Sequence, residues 1–198
     1  MKKLIYATLA LLFIAMLGTS LYYIDKINRK TYAENLTKKS DNALQTMLEL
    51  IEAEKERALS IAVLLAQKES IIQGYALNDR KKLFEEINSV IESLKSNGGE
   101  GDIDIQLHTS DLRAYVRSWD FDTYDIDLSS FRYGLLKVKN KQAPSVGIEL
   151  GKRLNIKAIA PILKNGNFLG SAEVIVGFDR VERSEERRVG KECRSRWA

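Results

Sequence analysis

The residues best suited to chemistry fall in LHTSDLRAYVRSWD, residues 107–120. Extended, this stretch puts Arg113, Tyr115, Arg117 and Trp119 on one side and Leu112, Ala114, Val116 and Ser118 on the other, because successive strand side chains point to opposite faces. Two guanidinium groups and two rings on one surface suit a small anion. Arg113 and Arg117 would grip a carboxylate through paired N–H donors, while Tyr115 and Trp119 supply flat walls with one polar group each. Arg132, in DLSSFR, is placed to close such a pocket from the neighbouring element. Two plainer readings compete: the arginines and rings pair on an exposed face with the Asp-rich stretch 119–127, or the segment is helical, with Leu112, Val116 and Trp119 turned to a core.

Other chemistries are poorly served. His108 is the single histidine, so a histidine metal cluster is excluded; it reads as a hydrogen-bonded sheet residue, with a ligand contact as the sharper alternative. WDFDTYDID (119–127) lacks the glycine and closing glutamate of a calcium loop and reads as a solvated loop. Glu149 and Glu173 fall in strands at opposite ends of the module, where partners such as Lys152 and Arg153 suit them better than a glycosidase role. No phosphate loop, dinucleotide fingerprint or nucleophile elbow is present. The expectation is a non-enzymatic segment without metal or cofactor.

The elements that must position these residues begin with LIYATLALLFIAMLGTSLYYI (4–24), uncharged and long enough to cross a bilayer as a helix, with Tyr22 and Tyr23 at the interface. An uncleaved anchor is expected over residues 1–25. Lys26, Arg29, Lys30, Lys38 and Lys39 outnumber Lys2 and Lys3, against a simple positive-inside count, but long domains translocate regardless of charge, so residue 25 onward is placed outside the cytoplasm. From Thr31 to Tyr75 a helical stripe runs through Leu44, Met47, Leu48, Ile51, Ala58, Leu65 and Ile72. Its polar part, 26–57, reads as a stalk pairing with a second subunit. ALSIAVLLA (58–66) packs on the chain's own domain.

A second helix is expected from Asn78 or Asp79 to Lys95, stopped by Asn97-Gly98-Gly99. Ile103, Ile105 and Leu107 then alternate with polar residues as a strand. LSSFRYGLLKVKNK (128–141) predicts a helix capped by Ser129 and weakened by Gly134. SVGIELGK (145–152) predicts a strand, and 156–178 two strands joined at Asn165-Gly166-Asn167. The class is α+β. Residues 183–198 hold six Lys or Arg, three Glu and the only Cys, lack an apolar period, and resemble a translated sequencing-adapter read-through. Without them 25 Lys and Arg face 24 Asp and Glu, a net +1, which removes a basic-protein argument for nucleic acid. The natural chain is then expected to continue past residue 182.

An anchor, a helix ending in ALSIAVLLAQKESI, and then HTSDLRAYVRSWD, DLSSFR, GIELGK and APILKNGNFLGSAEV in that order resemble the extracytoplasmic Cache sensory domain of bacterial chemoreceptors and other transmembrane sensors, over about residues 40–178. The resemblance implies a PAS-like antiparallel sheet with flanking helices over 58–182, carried on a long helix, with a small ligand between sheet and overlying loops. It also implies a second module and a return helix beyond residue 182. The amino-acid-binding signature of the family is matched only in part, by Tyr115, Arg117-Ser118-Trp119 and Asp120, so amino-acid specificity does not follow.

The implied protein is the periplasmic sensing part of an inner-membrane receptor, foremost a methyl-accepting chemotaxis protein. It binds a small anionic or carboxylate-bearing solute through Arg113, Tyr115, Arg117, Trp119, Arg132 and His108, forms a homodimer through the long helix, and reaches cytoplasmic signalling proteins through its missing C-terminal part. The alternatives are a membrane-tethered coiled-coil adaptor whose head binds another protein, and the sensor part of a membrane kinase or cyclic-dinucleotide enzyme.

Overall fold

The computed structural model describes residues 2–96, 103–150 and 153–178, with only the backbone of residues 2–5 and 7–10. The expected stop at 97–99, Lys152 and the tail 183–198 lie outside the described residues. The chain divides into two units, residues 1–48 and 49–198. The first is helical from Lys2 and exposes Leu36, Leu44, Met47 and Leu48. Among the described residues, no helix is long and apolar enough to cross a membrane. The expected anchor at 4–24 reaches residues 4, 5 and 7–10, whose side chains lie outside the description.

The expected continuous helix to Tyr75 is instead broken. Helix α1 runs Lys2–Ala66 and α2 Glu69–Ala76, with Lys68 extended between them at φ −68°, ψ 123°. The break is hydrogen-bonded: Lys68 N–H donates to the Leu65 carbonyl (3.2 Å) and Ile71 N–H to that of Lys68 (3.0 Å). A turn here changes which residue of α2 faces inward. Ile71, off the stripe read from the sequence, is fully buried, while Ile72 stays half-buried. Helix α3 (Arg80–Ser96) lies where expected, burying Leu83, Ile87 and Ile91 at helical spacing.

Five strands follow: β1 (Ile103–Thr109), β2 (Ala114–Arg117), then helix α4 (Tyr133–Lys141), β3 (Ser145–Leu150), β4 (Leu154–Lys164) and β5 (Asn167–Gly177). They form one antiparallel sheet in the order β2-β1-β5-β4-β3. The β4–β5 hairpin turns at Asn165 (φ 51°) and Gly166 (φ 79°), the paired positive angles that a tight two-residue turn demands. The expected α4 over 128–141 starts late. Ser129 is no cap; its N–H and O–H both donate to Oδ1 of Asp127 (2.9 and 2.7 Å), and the helix begins only after Arg132.

One sheet face carries the main core. Ile105, Leu107, Ala172, Val174, Ile156 and Ala158 pack there with Ala62, Leu65, Ile71, Leu83 and Ile87 of the helices. Gly170 belongs to the close approach of that face to α2: Tyr75 O–H donates to the His108 carbonyl (2.9 Å) beside it. A Cβ at position 170 would lie 2.0 Å from that carbonyl oxygen and 2.8 Å from the Tyr75 ring. Because the obstacle is strand backbone, Gly170→Ala is expected to cost about 1–3 kcal/mol, as overpacking typically does. Urea unfolding of the two proteins measures it, and equal midpoints would contradict this packing.

Candidate functional site

The opposite face is unusual because it is buried yet polar. Residues directly paired in an antiparallel sheet share a face. Gln106 pairs with Arg117 on one side and Glu173 on the other, and His108 pairs with Ala114 and Ser171. Gln106, His108, Ser171, Glu173 and Lys157 are all nearly inaccessible there. Over this face Leu112 of the β1–β2 turn, Leu128 ahead of α4, and Leu135 and Val138 of α4 form a second small core with Ala114 and Ile159.

Arg132 ties this roof to the sheet. Only 7% exposed at the N-terminus of α4, it donates from Nη2 to Oε1 of Glu173 and from Nε to Oε2 of Glu149 (3.3 Å). The two strand carboxylates are therefore joined by Arg132, not partnered by Arg153 at the ends of the module. Gly134 leaves room for this: a side chain there would collide with Oε1 of Glu149. His108 Nδ1 lies 3.1 Å from Ser171 Oγ, and its Nε2 lies 3.4 Å from Oε2 of Glu173, within ion-pair range but outside hydrogen-bonding geometry.

Burial alone would raise the Glu173 carboxyl, but His108, Arg132 and Lys157 outweigh it and hold it below the ordinary glutamate value. Burial and the nearby Arg132 guanidinium pull the Lys157 ammonium down. Among the described residues, two donors on opposed residues have no acceptor: Nε2 of Gln106 and Nε of Arg117.

The four residues expected to share a face do not. β1 and β2 pair as Leu107 with Val116 but His108 with Ala114, which leaves Tyr115 as the extra residue of a bulge. The bulge breaks the strict alternation, so Arg117 joins Gln106 while Tyr115 turns to the helices. There its ring lies 5.3 Å from that of Tyr75 and its O–H donates to Oδ1 of Asn78. Arg113 is engaged by the Asp-rich loop, Nε to Asp125 Oδ1 (2.5 Å) and Nη2 to its carbonyl (2.6 Å), which fulfils the plainer reading for that residue. Trp119 is half exposed, its ring 6.0 Å from the Arg117 guanidinium. Leu112 takes a left-handed φ of 62° and the segment is strand, so its helical reading is set aside.

The loop after β2 is held by a residue that sequence reading passed over. Arg80 donates to the carbonyls of Tyr115 (3.0 Å) and Phe121 (2.7 Å), and its guanidinium lies 3.6 Å from the Tyr124 ring centroid and 4.6 Å from that of Phe121. Gln106, Lys157, Ser171 and Glu173 were also missed as a group. Their signal was present: a charged residue inside each of two otherwise apolar runs, IKAIAPI and SAEVIVGF.

Comparison with known proteins agrees with this architecture. The V. cholerae histidine kinase DctB sensor domain aligns at TM-score 0.57 and 14% identity, over 76% of this chain and 59% of that one. The sensory domain of the Campylobacter jejuni chemoreceptor Tlp3 aligns at TM-score 0.52 and 11% identity, over 71% and 60%. The Tlp3 domain has been solved in complex with 4-methylisoleucine and with L-valine. The chain thus spans about three fifths of each of these two sensor domains. Among curated proteins, none matches this chain in sequence. A family model described as the double sensory domain of two-component sensor kinases matches residues 33–190. The chain belongs to this double-Cache family of sensory domains.

Proposed function

We propose that the chain is the extracytoplasmic sensing part of a bacterial transmembrane receptor, and that its solute binds on the polar sheet face at Gln106 and Arg117. The carrying observation is the pair of buried donors without acceptors. Each such donor costs about 1–3 kcal/mol of desolvation, which a solute bearing an acceptor recovers. Arg117, Arg132 and Lys157 also outnumber Glu149 and Glu173 by one charge, which favours an anionic or carboxylate-bearing solute. Trp119 flanks the guanidinium, and His108 forms part of the floor. Arg132 is already engaged by two carboxylates, so its role is to hold α4 against the sheet. Arg113 and Tyr115 support the loop and the bulge.

Residues 4–24 anchor the receptor in the inner membrane with the sensing unit in the periplasm, and the exposed apolar residues of α1 pair with a second subunit. The family's description favours a kinase as output, with a chemotaxis receptor as the second reading because of the likeness to Tlp3. Titration calorimetry of the full chain against small carboxylates and their neutral amides tests the ligand class. Saturable heat with the acids and not the amides is expected; silence across a broad panel of acids would favour the adaptor reading.

A further inference from the structure

We infer that a cleft built from none of the residues of the polar face binds a small uncharged solute. Its volume is about 310 Å³, at the lower end of the range of small-molecule sites, roughly 300–1,000 Å³. Val63 and Ala66 of the last α1 turns, Ile72 of α2 and Leu163 of β4 give it apolar walls, and Gln67 and Gln142 are its polar residues.

Among the described residues, no charged one lines the cleft. An ion entering it would leave water without a counter-charge, whereas a neutral molecule buries its apolar body and meets amides that both donate and accept. The walls are also set firmly. Two prolines, Pro144 and Pro161, contribute no N–H groups that need partners. Gln67 follows directly on the end of α1, with its N–H donating to Val63 (3.1 Å), and Gln142 closes α4 in a left-handed conformation, with its N–H donating to Val138 (2.8 Å). The cleft thus sits where two helices stop, and a solute in it bridges the α1–α2 break to the C-terminal end of α4.

The test uses the full chain with labelled methyl groups and acetanilide, a neutral ring bearing one amide, with benzoate as the charged counterpart. Acetanilide is expected to shift the methyl signals of Val63, Ala66, Ile72 and Leu163 saturably, and benzoate to leave them in place. Gln67→Trp, at an exposed position, fills the cleft and abolishes the shifts. Gln142→Gly keeps the left-handed backbone, removes one amide, and weakens binding roughly 2- to 12-fold, the worth of one hydrogen bond. Arg117→Ala leaves the titration unchanged, so this site and the carboxylate site fail separately. Absence of saturable shifts at these methyls, or an unchanged titration in Gln67→Trp, would overturn the inference.

Discussion

Glu173→Ala is expected to lower the free energy of unfolding by about 3–5 kcal/mol, the cost of leaving a buried charge without its partner. The side chain is fully buried and Arg132, which donates to it, is nearly so. Removing the carboxylate leaves that guanidinium with only the more exposed Glu149, and brings Lys157 into a site of unbalanced positive charge. Urea unfolding measures the loss, and a change below about 1 kcal/mol, the range of exposed pairs, would show that this pair behaves as a surface one.

The same group sets a pH dependence. Its carboxyl lies below the ordinary 4.5 in the folded chain, so as pH falls the unfolded chain takes up the proton first. Its stabilising contribution is complete above the unfolded value and is lost as pH falls through the folded one. Stability should therefore drop between neutral pH and pH 3, and Glu173→Gln should show a smaller drop. Identical pH slopes in both proteins would contradict the assignment.

Arg117→Ala is expected to weaken carboxylate binding about 10- to 150-fold, the equivalent of 1.5–3 kcal/mol for a hydrogen bond to a charged group. The comparison that gives this meaning is Arg113→Ala. Four residues apart on a short stretch, the two arginines look interchangeable in sequence, but Arg113 is bonded to Asp125 at the surface while Arg117 keeps a buried donor free. The Arg113 variant should bind as the unaltered chain does. Equal losses in both variants would mean that the solute sits over the exposed loop. Calorimetry with the same acid for all three proteins separates these outcomes.

The divergence between those arginines marks where sequence reading stopped. Periodicity located α3, β1, β3 and the β4–β5 hairpin, because each carries a regular apolar repeat or a turn pair with restricted backbone angles. The bulge at Tyr115 was illegible, since one extra residue in a ladder leaves no mark in composition and reverses the side that each neighbour faces. The break at Lys68 was hidden for a related reason: Leu65 and Ile72 are seven apart and suit one continuous helical stripe. The polar face was half legible. Alternation along β1 marked Gln106 and His108 as opposite to the core residues, but nothing local told that this face would be buried.

Arg117 Nε is the donor that meets the proposed solute. The most direct measurement is the Nε–Hε resonance of Arg117, followed by NMR as a carboxylate is titrated into the labelled full chain. A saturating downfield shift with the same midpoint as the calorimetric isotherm is the predicted result. A resonance that stays fixed while calorimetry reports binding would contradict it.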